Sequence, residues 1–288
     1  MIYLLLSIAA SSLIFVIFKL FARFKVNTLH AIIINYLVAC LCGVVLYKGP
    51  TSLAQIPEQS WFYGTAALGV LFITVFNLMA ITTQRSGLSV VSVATKMSVV
   101  IPIIFGVVYY NESLGLLKFI GIGIALIAVY LASVKNAEGI AVKKKNIVFP
   151  VLVFLGSGII DTSIKFIEGA YVSATDVPIF SATVFAAAAC IGLLIMLYQL
   201  VKGQFRFETK NIVAGIALGI PNYFSIYYLV NALRNTALDS STIFTINNVA
   251  IVMVSTLLGI LLFSERLRTK NWIGIALAII SIVLVTLA

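Results

Sequence analysis

The sequence predicts an all-α integral membrane protein with ten transmembrane helices, arranged as two inverted five-helix repeats around a central cavity. Three observations predict this fold class. The 288 residues are 62% hydrophobic and 10% charged, with a mean hydropathy of +1.15, whereas soluble globular chains are about a quarter charged. The apolar residues form ten segments near the length of about 20 residues that a helix needs to cross a bilayer core. The two halves of the chain also share motifs in the same order.

The ten segments are separated by short connections that carry most of the charged residues. Helices are favoured over strands because the segments lack the alternation of period two that membrane strands require. The segments cover roughly residues 2–22, 29–47, 60–84, 88–110, 116–134, 147–167, 177–200, 211–233, 239–263 and 271–287. We therefore expect residues 1–134 to form one five-helix half, residues 135–146 a basic linker and residues 147–288 the second half.

Paired motifs relate the two halves. Residues 111–114, Asn-Glu-Ser-Leu, correspond to residues 264–267, Ser-Glu-Arg-Leu, at an offset of 153 residues. Residues 11–21 correspond to residues 157–167 at an offset of 146. Because each half has an odd number of spans, the second half enters the membrane from the opposite side, so the repeat is inverted. Inverted repeats are typical of secondary transporters, which bind substrate between the repeats near the midplane.

These motifs resemble those of the EamA-type members of the drug/metabolite transporter superfamily, in which a glutamate-containing turn precedes a glycine-rich last helix in each half. The residues that carry this resemblance are Glu112, Glu265, Gly121, Gly123 and Gly274. The resemblance covers essentially the whole chain. It implies a central cavity lined by segments 1, 3, 4, 6, 8 and 9, and the export or exchange of a small metabolite. If the protein is bacterial, we expect it in the plasma (inner) membrane.

The motif residues also have interpretations that involve only structure. The two glutamates precede helices, so we expect them to cap the helix that follows, with direct substrate contact as the alternative. The glycines allow helices to approach closely, either within the chain or against a second copy, which leaves a homodimer open.

Polar side chains inside the apolar segments are the candidates for the site, because ionisable groups at membrane depth are costly and rarely face lipid. Lys96 lies about eight residues into the fourth segment and could bind a carboxylate or phosphate. The alternative is a lysine that snorkels to the nearer interface. Further candidates for substrate binding, which could equally pack helices, are Asn77, Asn222, Tyr227, Asn247 and Asn248.

Two other sets of residues could take part in coupling or in movement. Asp161 and Lys165 are one helical turn apart, so they could form an ion pair, or Asp161 could be a proton-coupling carboxylate. Lys19 is the counterpart of Lys165 in the first half and could anchor its helix at the interface. Pro102 and Pro221 each remove a helical hydrogen bond, so they predict either fixed kinks or hinges.

The function predicted from these residues is secondary transport by alternating access. Lysines outnumber carboxylates inside the segments, which favours an anionic or zwitterionic metabolite, such as an amino acid or a sugar or nucleotide derivative. A membrane-embedded lipid-modifying enzyme and a non-transporting scaffold subunit are the alternatives. The sequence has one histidine, His30, and no Walker-type motif, so we expect no metal site, no cofactor and no nucleic-acid partner. The expected partners are the substrate and the lipid bilayer.

The basic residues also predict an orientation. The connections after segments 1, 3, 5, 7 and 9 contain thirteen of the 19 Lys and Arg residues, whereas the other connections contain three. We call the side with thirteen the basic face and the other side the opposite face. The positive-inside rule places the basic face in the cytoplasm and both termini outside, whereas the family resemblance implies cytoplasmic termini.

A reporter enzyme that is active only in the cytoplasm tests this orientation. Fused to the C-terminus, it should stay inactive because the charge distribution places that end outside. An active fusion would support the orientation implied by the resemblance.

Overall fold

The computed structural model describes residues 1–49, 52–86, 88–113, 115–133, 146–204, 208–234, 238–263 and 269–287. These ranges contain eleven α-helices and no strand. The helices are α1 (Ile2–Arg23), α2 (Thr28–Leu46), α3 (Phe62–Ser86), α4 (Leu88–Met97), α5 (Val100–Tyr109), α6 (Leu116–Ser133), α7 (Val148–Tyr171), α8 (Val177–Val201), α9 (Thr209–Arg234), α10 (Ser240–Phe263) and α11 (Thr269–Leu287). Short 3-10 helices precede α3 and α8, at Leu53–Glu58 and Ala174–Asp176.

The prediction of an all-helical, multi-pass membrane protein is confirmed. Within the described ranges, eight helices are long and apolar enough to cross a membrane. The fourth and fifth predicted segments correspond to two shorter apolar stretches, Val93–Tyr109 and Leu116–Leu131. Two predictions concern residues that the structure does not describe: Glu265, and the linker apart from Asn146.

The fourth predicted segment forms two helices, α4 and α5, which are separated by an interruption at Ser98 and Val99. Pro102 lies in the first turn of α5. It has no backbone N–H to donate and its ring crowds the carbonyl four residues earlier, that of Ser98. That carbonyl instead accepts a hydrogen bond from the backbone N–H of Ile101, at 2.9 Å. The interruption at Ser98 and Val99 therefore lies just before Pro102, whereas α9 continues unbroken through Pro221. A hinge at either proline stays a prediction.

The two halves of the chain are packed against each other along several helices. The first-half helices α1 and α2 pack on the second-half helix α9, α3 packs on α7 and α8, and α6 packs along α11. The most deeply buried large side chains include Trp61, Tyr36, Tyr223, Phe180 and Phe185. Glycines bring α2 and α9 together, since a Cβ added at Gly219 would lie 2.8 Å from the backbone oxygen of Asn35.

The glycines of the predicted motif have different environments. A Cβ at Gly121 would lie 2.6 Å from the side chain of Val285 in α11, whereas a Cβ at Gly123 would have open space around it. The carbonyl oxygen of Gly121 also accepts a hydrogen bond from the Ser281 hydroxyl at 2.8 Å. Gly274 is buried in α11. Close packing of α6 on α11 therefore depends on Gly121, while the homodimer stays a prediction.

These two glycines provide a matched test of the α6–α11 contact. Gly121→Leu should lower the free energy of unfolding by about 1–3 kcal/mol, the usual cost of overpacking a close contact, because the new side chain meets α11. Gly123→Leu, in the same helix, should change it little. Thermal unfolding in detergent measures both, and equal destabilisation would contradict the packing described.

Candidate functional site

A cavity of about 560 Å³ lies inside the helical bundle, within the range of volumes that small-molecule sites have. It is lined by residues from α1, α3, α4, α7, α9 and α10, together with the beginning of α2. The first six of these helices correspond to segments 1, 3, 4, 6, 8 and 9, which the family resemblance implied.

The mouth of the cavity lies at the basic face. Lys19, Lys25, Val26 and Thr28, at or next to the connection between α1 and α2, line it there, and Lys25 is exposed. At its inner end the lining includes Phe244, which lies about one helical turn after the beginning of α10. The beginning of α10 is at the opposite face. The cavity is therefore accessible from the face that carries most of the basic residues.

Beyond the inner end of the cavity, buried apolar side chains fill the bundle towards the opposite face. They come from both halves of the chain and include Leu4, Ile8, Ile103, Ile243 and Leu233. No more than 7% of any of these side chains is exposed. This apolar cluster seals the cavity from the opposite face.

Lys96 lines the cavity from the last turn of α4, next to the break before α5. Its ammonium donates a hydrogen bond to the Asn248 Oδ1 of α10 at 3.1 Å and lies 5.5 Å from the centre of the Phe15 ring. Cations are favourable near the C-terminal end of a helix, where carbonyl oxygens point outwards. Asn248 also donates to the backbone oxygen of Phe244 at 3.1 Å, which orients its amide oxygen towards Lys96.

Asp161 lines the same cavity from α7 and interacts electrostatically with Lys96. No hydrogen bond from a described residue reaches its carboxylate. Asn247, also in the lining and 5% exposed, has an Oδ1 atom without a hydrogen-bond donor in the described part of the chain. Away from the mouth, where Lys19 and Lys25 lie, the described lining therefore offers two acceptor groups, Asp161 and Asn247, beside the ammonium of Lys96.

Most of the remaining lining is apolar. Aromatic rings come from α1, α3 and α10, and include Phe15, Phe18, Phe72, Phe76 and Phe244. Apolar walls exclude water and lower the local dielectric constant, which strengthens the interactions of Lys96 and Asp161 with a bound ion. The lining is thus suited to a molecule with a charged end and an apolar body.

Three of the predicted substrate-binding residues do not line this cavity. The Asn222 amide donates to the Asn35 Oδ1 at 3.0 Å and links α9 to α2. Asn77 donates to the backbone oxygen of Ile73 in its own helix at 2.7 Å. Tyr227 packs among other aromatic rings, 5.8 Å from that of Tyr223. Each has a structural role that the sequence left open as an alternative.

The predicted ion pair between Asp161 and Lys165 is not present among the described residues. The Lys165 ammonium instead lies 5.7 Å from the centre of the Tyr110 ring, and Lys165 is outside the cavity lining. Lys19 is at the mouth, with its ammonium 4.1 Å from the centre of the Phe263 ring. Although Asp161 and Lys165 are one turn apart, their side chains extend to different surroundings.

Ion pairs that the sequence analysis missed tie helices together at the opposite face. Lys118 of α6 pairs with Asp239, just before α10, and Arg234 of α9 pairs with Glu168 of α7. The Glu168 side chain is 1% exposed and Lys118 is 3% exposed. Lys118 and Arg234 look like ordinary connection residues in the sequence. The signal that could have identified them is that they occur on the face where basic residues are rare and carboxylates outnumber them.

The expected capping role of Glu112 is wrong in its target. Glu112 was expected to cap α6, the helix that follows it. Its carboxylate instead accepts hydrogen bonds from the backbone N–H groups of Ser240 and Ser241, at 3.0 and 3.1 Å, and from the Ser240 hydroxyl. These residues begin α10, so the glutamate caps a helix of the other half of the chain.

Comparisons with known proteins agree with this architecture. A protein of Haemophilus influenzae, described as uncharacterized, is 26% identical over 284 residues, which cover 97% of this chain and 95% of the relative. A crystal structure of another protein superimposes with a TM-score of 0.79 at 13% identity, over 99% of this chain and 96% of that chain. The second similarity establishes a shared fold alone.

The model of the EamA-like transporter family matches residues 1–134. This match confirms, over the first half of the chain, the resemblance that Glu112, Gly121 and Gly123 predicted. Over these residues the chain is thus similar to a family of membrane transporters within the drug/metabolite transporter superfamily.

Proposed function

We propose that the protein is a secondary transporter that moves a small zwitterionic or anionic metabolite by alternating access. In this proposal α4 and α5 together make one crossing, so that ten crossings form two inverted five-helix repeats. The discontinuous crossing supports the proposal, because secondary transporters commonly bind substrate where a helix is interrupted near the midplane. Lys96 lies at the end of α4, at that interruption.

One observation carries the proposal: Lys96 and Asp161, of opposite charge, line one largely apolar cavity deep in the bundle. A carboxylate or phosphate of the substrate would bind Lys96, which Asn248 already orients. An ammonium group would bind Asp161 and the free oxygen of Asn247. Because two acceptors accompany the one ammonium at this depth, this part of the cavity favours a zwitterion over a simple anion.

The side from which the cavity is accessible suggests the direction of transport. The cavity is accessible from the basic face, which the positive-inside rule assigns to the cytoplasm. A substrate could therefore enter from the cytoplasm and leave on the far side after the bundle rearranges. We accordingly propose export or exchange across the plasma membrane of a bacterium.

The alternatives have less support. A lipid-modifying enzyme would need a nucleophile with a base, or a set of metal ligands, and the described cavity lining contains no histidine or cysteine. A scaffold would gain nothing evident from Lys96 and Asp161, since charged groups at membrane depth are costly to insert. Charges in an accessible cavity are instead typical of a substrate pathway.

Removal of the Lys96 charge tests the site. Purified Lys96→Gln in proteoliposomes should take up labelled amino acids at least about tenfold more slowly than the unmodified protein, the effect expected for loss of a charged hydrogen bond. Lys165→Gln is the matched control, since it removes a lysine of the same bundle that lies outside the cavity. Uptake assays should include carboxylates of similar size that lack an amine, which should be poorer substrates.

The result that would contradict this assignment is undiminished uptake by a folded Lys96→Gln variant. Equal losses in Lys96→Gln and Lys165→Gln would also contradict it, because they would indicate a general effect of removing charge from the bundle.

Asp161 is the candidate for coupling to protons, since no described residue donates a hydrogen bond to it. If transport is coupled to protons, an imposed pH gradient should accelerate uptake by the unmodified protein and have no effect on Asp161→Asn, which cannot ionise. Solute counterflow without a pH gradient measures the remaining exchange activity of the variant. Equal acceleration of both proteins by the gradient would exclude this role.

A further inference from the structure

The contact between Glu112 and α10 joins parts of the molecule that are distant in sequence. Glu112 follows α5 in the first half, and Ser240 and Ser241 begin α10 in the second half. The first N–H groups of a helix have no partner within the helix, so an acceptor must come from outside. Here the two oxygens of the Glu112 carboxylate are the acceptors. Their negative charge is also favourable at the N-terminus of a helix.

The residue that would ordinarily cap α10 is used elsewhere. Asp239 occupies the position just before the helix, where its backbone oxygen accepts from the Ile243 N–H at 3.1 Å. Its side chain pairs with Lys118 of α6 instead of bonding to the helix. Two groups of the first half, Glu112 and Lys118, therefore hold the beginning of α10.

The local sequence directs Glu112 towards α10. Asn111 has a φ of 53°, in the left-handed region that asparagine tolerates better than most residues, and it reverses the chain after α5. The Glu112 N–H then donates to the backbone oxygen of Gly106 at 3.2 Å. A Cβ on Gly106 would lie 2.9 Å from the Glu112 carboxylate, so the absence of a side chain at this position leaves space for it.

The contact lies at the end of the bundle that is sealed. Arg234 and Glu168, which pair nearby at the same face, connect α9 and α7, and the apolar cluster that includes Ile103 and Ile243 lies beneath. Further along α10, Asn247 and Asn248 line the cavity. A movement of the beginning of α10 would therefore both open this end and displace two residues of the site.

We propose that Glu112 is a latch that keeps the cavity closed at the opposite face, by capping α10, and that the cap is released when that face opens. The proposal rests on the proposed function, because alternating access requires this end to open. Glu112 acts by positioning α10 and does not contact the substrate in this role.

Cysteine accessibility tests the latch. Ser11 lines the cavity and is half-buried, so Ser11→Cys is a nearly isosteric reporter once Cys40, Cys42 and Cys190 are replaced by alanine. A charged, membrane-impermeant thiol reagent is applied to sealed vesicles from each side in turn. Exposed single cysteines, Ser52→Cys at the opposite face and Lys202→Cys at the basic face, establish which side the reagent reaches.

In the otherwise unmodified protein, the reporter should react from the basic face and only slowly from the opposite face. Glu112→Gln keeps the shape but loses the charge and one of the two acceptor oxygens, so labelling from the opposite face should rise by about tenfold, the scale expected for loss of a charged cap. Glu58→Gln, an exposed carboxylate at the same face, is the matched control and should change nothing. Asp239→Asn, which weakens the pair with Lys118, should act in the same direction as Glu112→Gln.

Unchanged labelling from the opposite face in a folded Glu112→Gln protein would overturn the latch. If that variant does not fold, Asp239→Asn takes its place. The latch would then be overturned if Asp239→Asn did not increase labelling from the opposite face. Flux through the unmodified protein is measured separately. Absence of flux would contradict the proposed function, whereas unchanged labelling with normal flux would contradict the latch alone.

Discussion

The cost of placing a lysine ammonium inside a membrane protein constrains the rest of this structure. An unpaired ion in a medium of low dielectric constant loses its hydration energy, so Lys96 cannot face lipid. The structure meets this requirement with the amide oxygen of Asn248, the ring of Phe15, the charge of Asp161 and an accessible cavity. Because these groups come from α10, α1 and α7, the one lysine makes both halves of the chain contribute to a single site.

The bundle is asymmetric along the direction in which it would cross the membrane. Towards the basic face, the cavity reaches the connection between α1 and α2. Towards the opposite face, apolar side chains fill the interior, and Glu112, Lys118 and Arg234 make charged contacts with partners on other helices. A buried ion pair needs its partners in place, since removing one leaves an uncompensated charge. Movement of the beginning of α10 would break the contacts of Glu112 and Lys118, and separation of α9 from α7 would break that of Arg234.

The sequence predicted the all-helical, multi-pass fold and part of the cavity lining, because hydropathy and intramembrane charge are visible along one chain. Lys96, Asn247 and Asn248 were identified in this way, since polar groups are rare in apolar segments. The side of a helix on which an amide lies depends on tertiary packing. For that reason Asn222 could not be distinguished from a cavity residue until its bond to Asn35 was seen. The partners of Lys118 and Arg234, and the capping of α10 by Glu112, join residues more than 60 positions apart, and no local pattern predicts such contacts.

Flux through the purified protein decides whether it is a transporter of zwitterions. Proteoliposomes would be incubated with a mixture of labelled small zwitterions, anions and cations, and their contents identified by mass spectrometry and compared with those of protein-free liposomes. We expect one or more zwitterions to accumulate with their chemical structure unchanged. Contents identical to those of protein-free liposomes, or a solute recovered only in chemically altered form, would contradict this expectation.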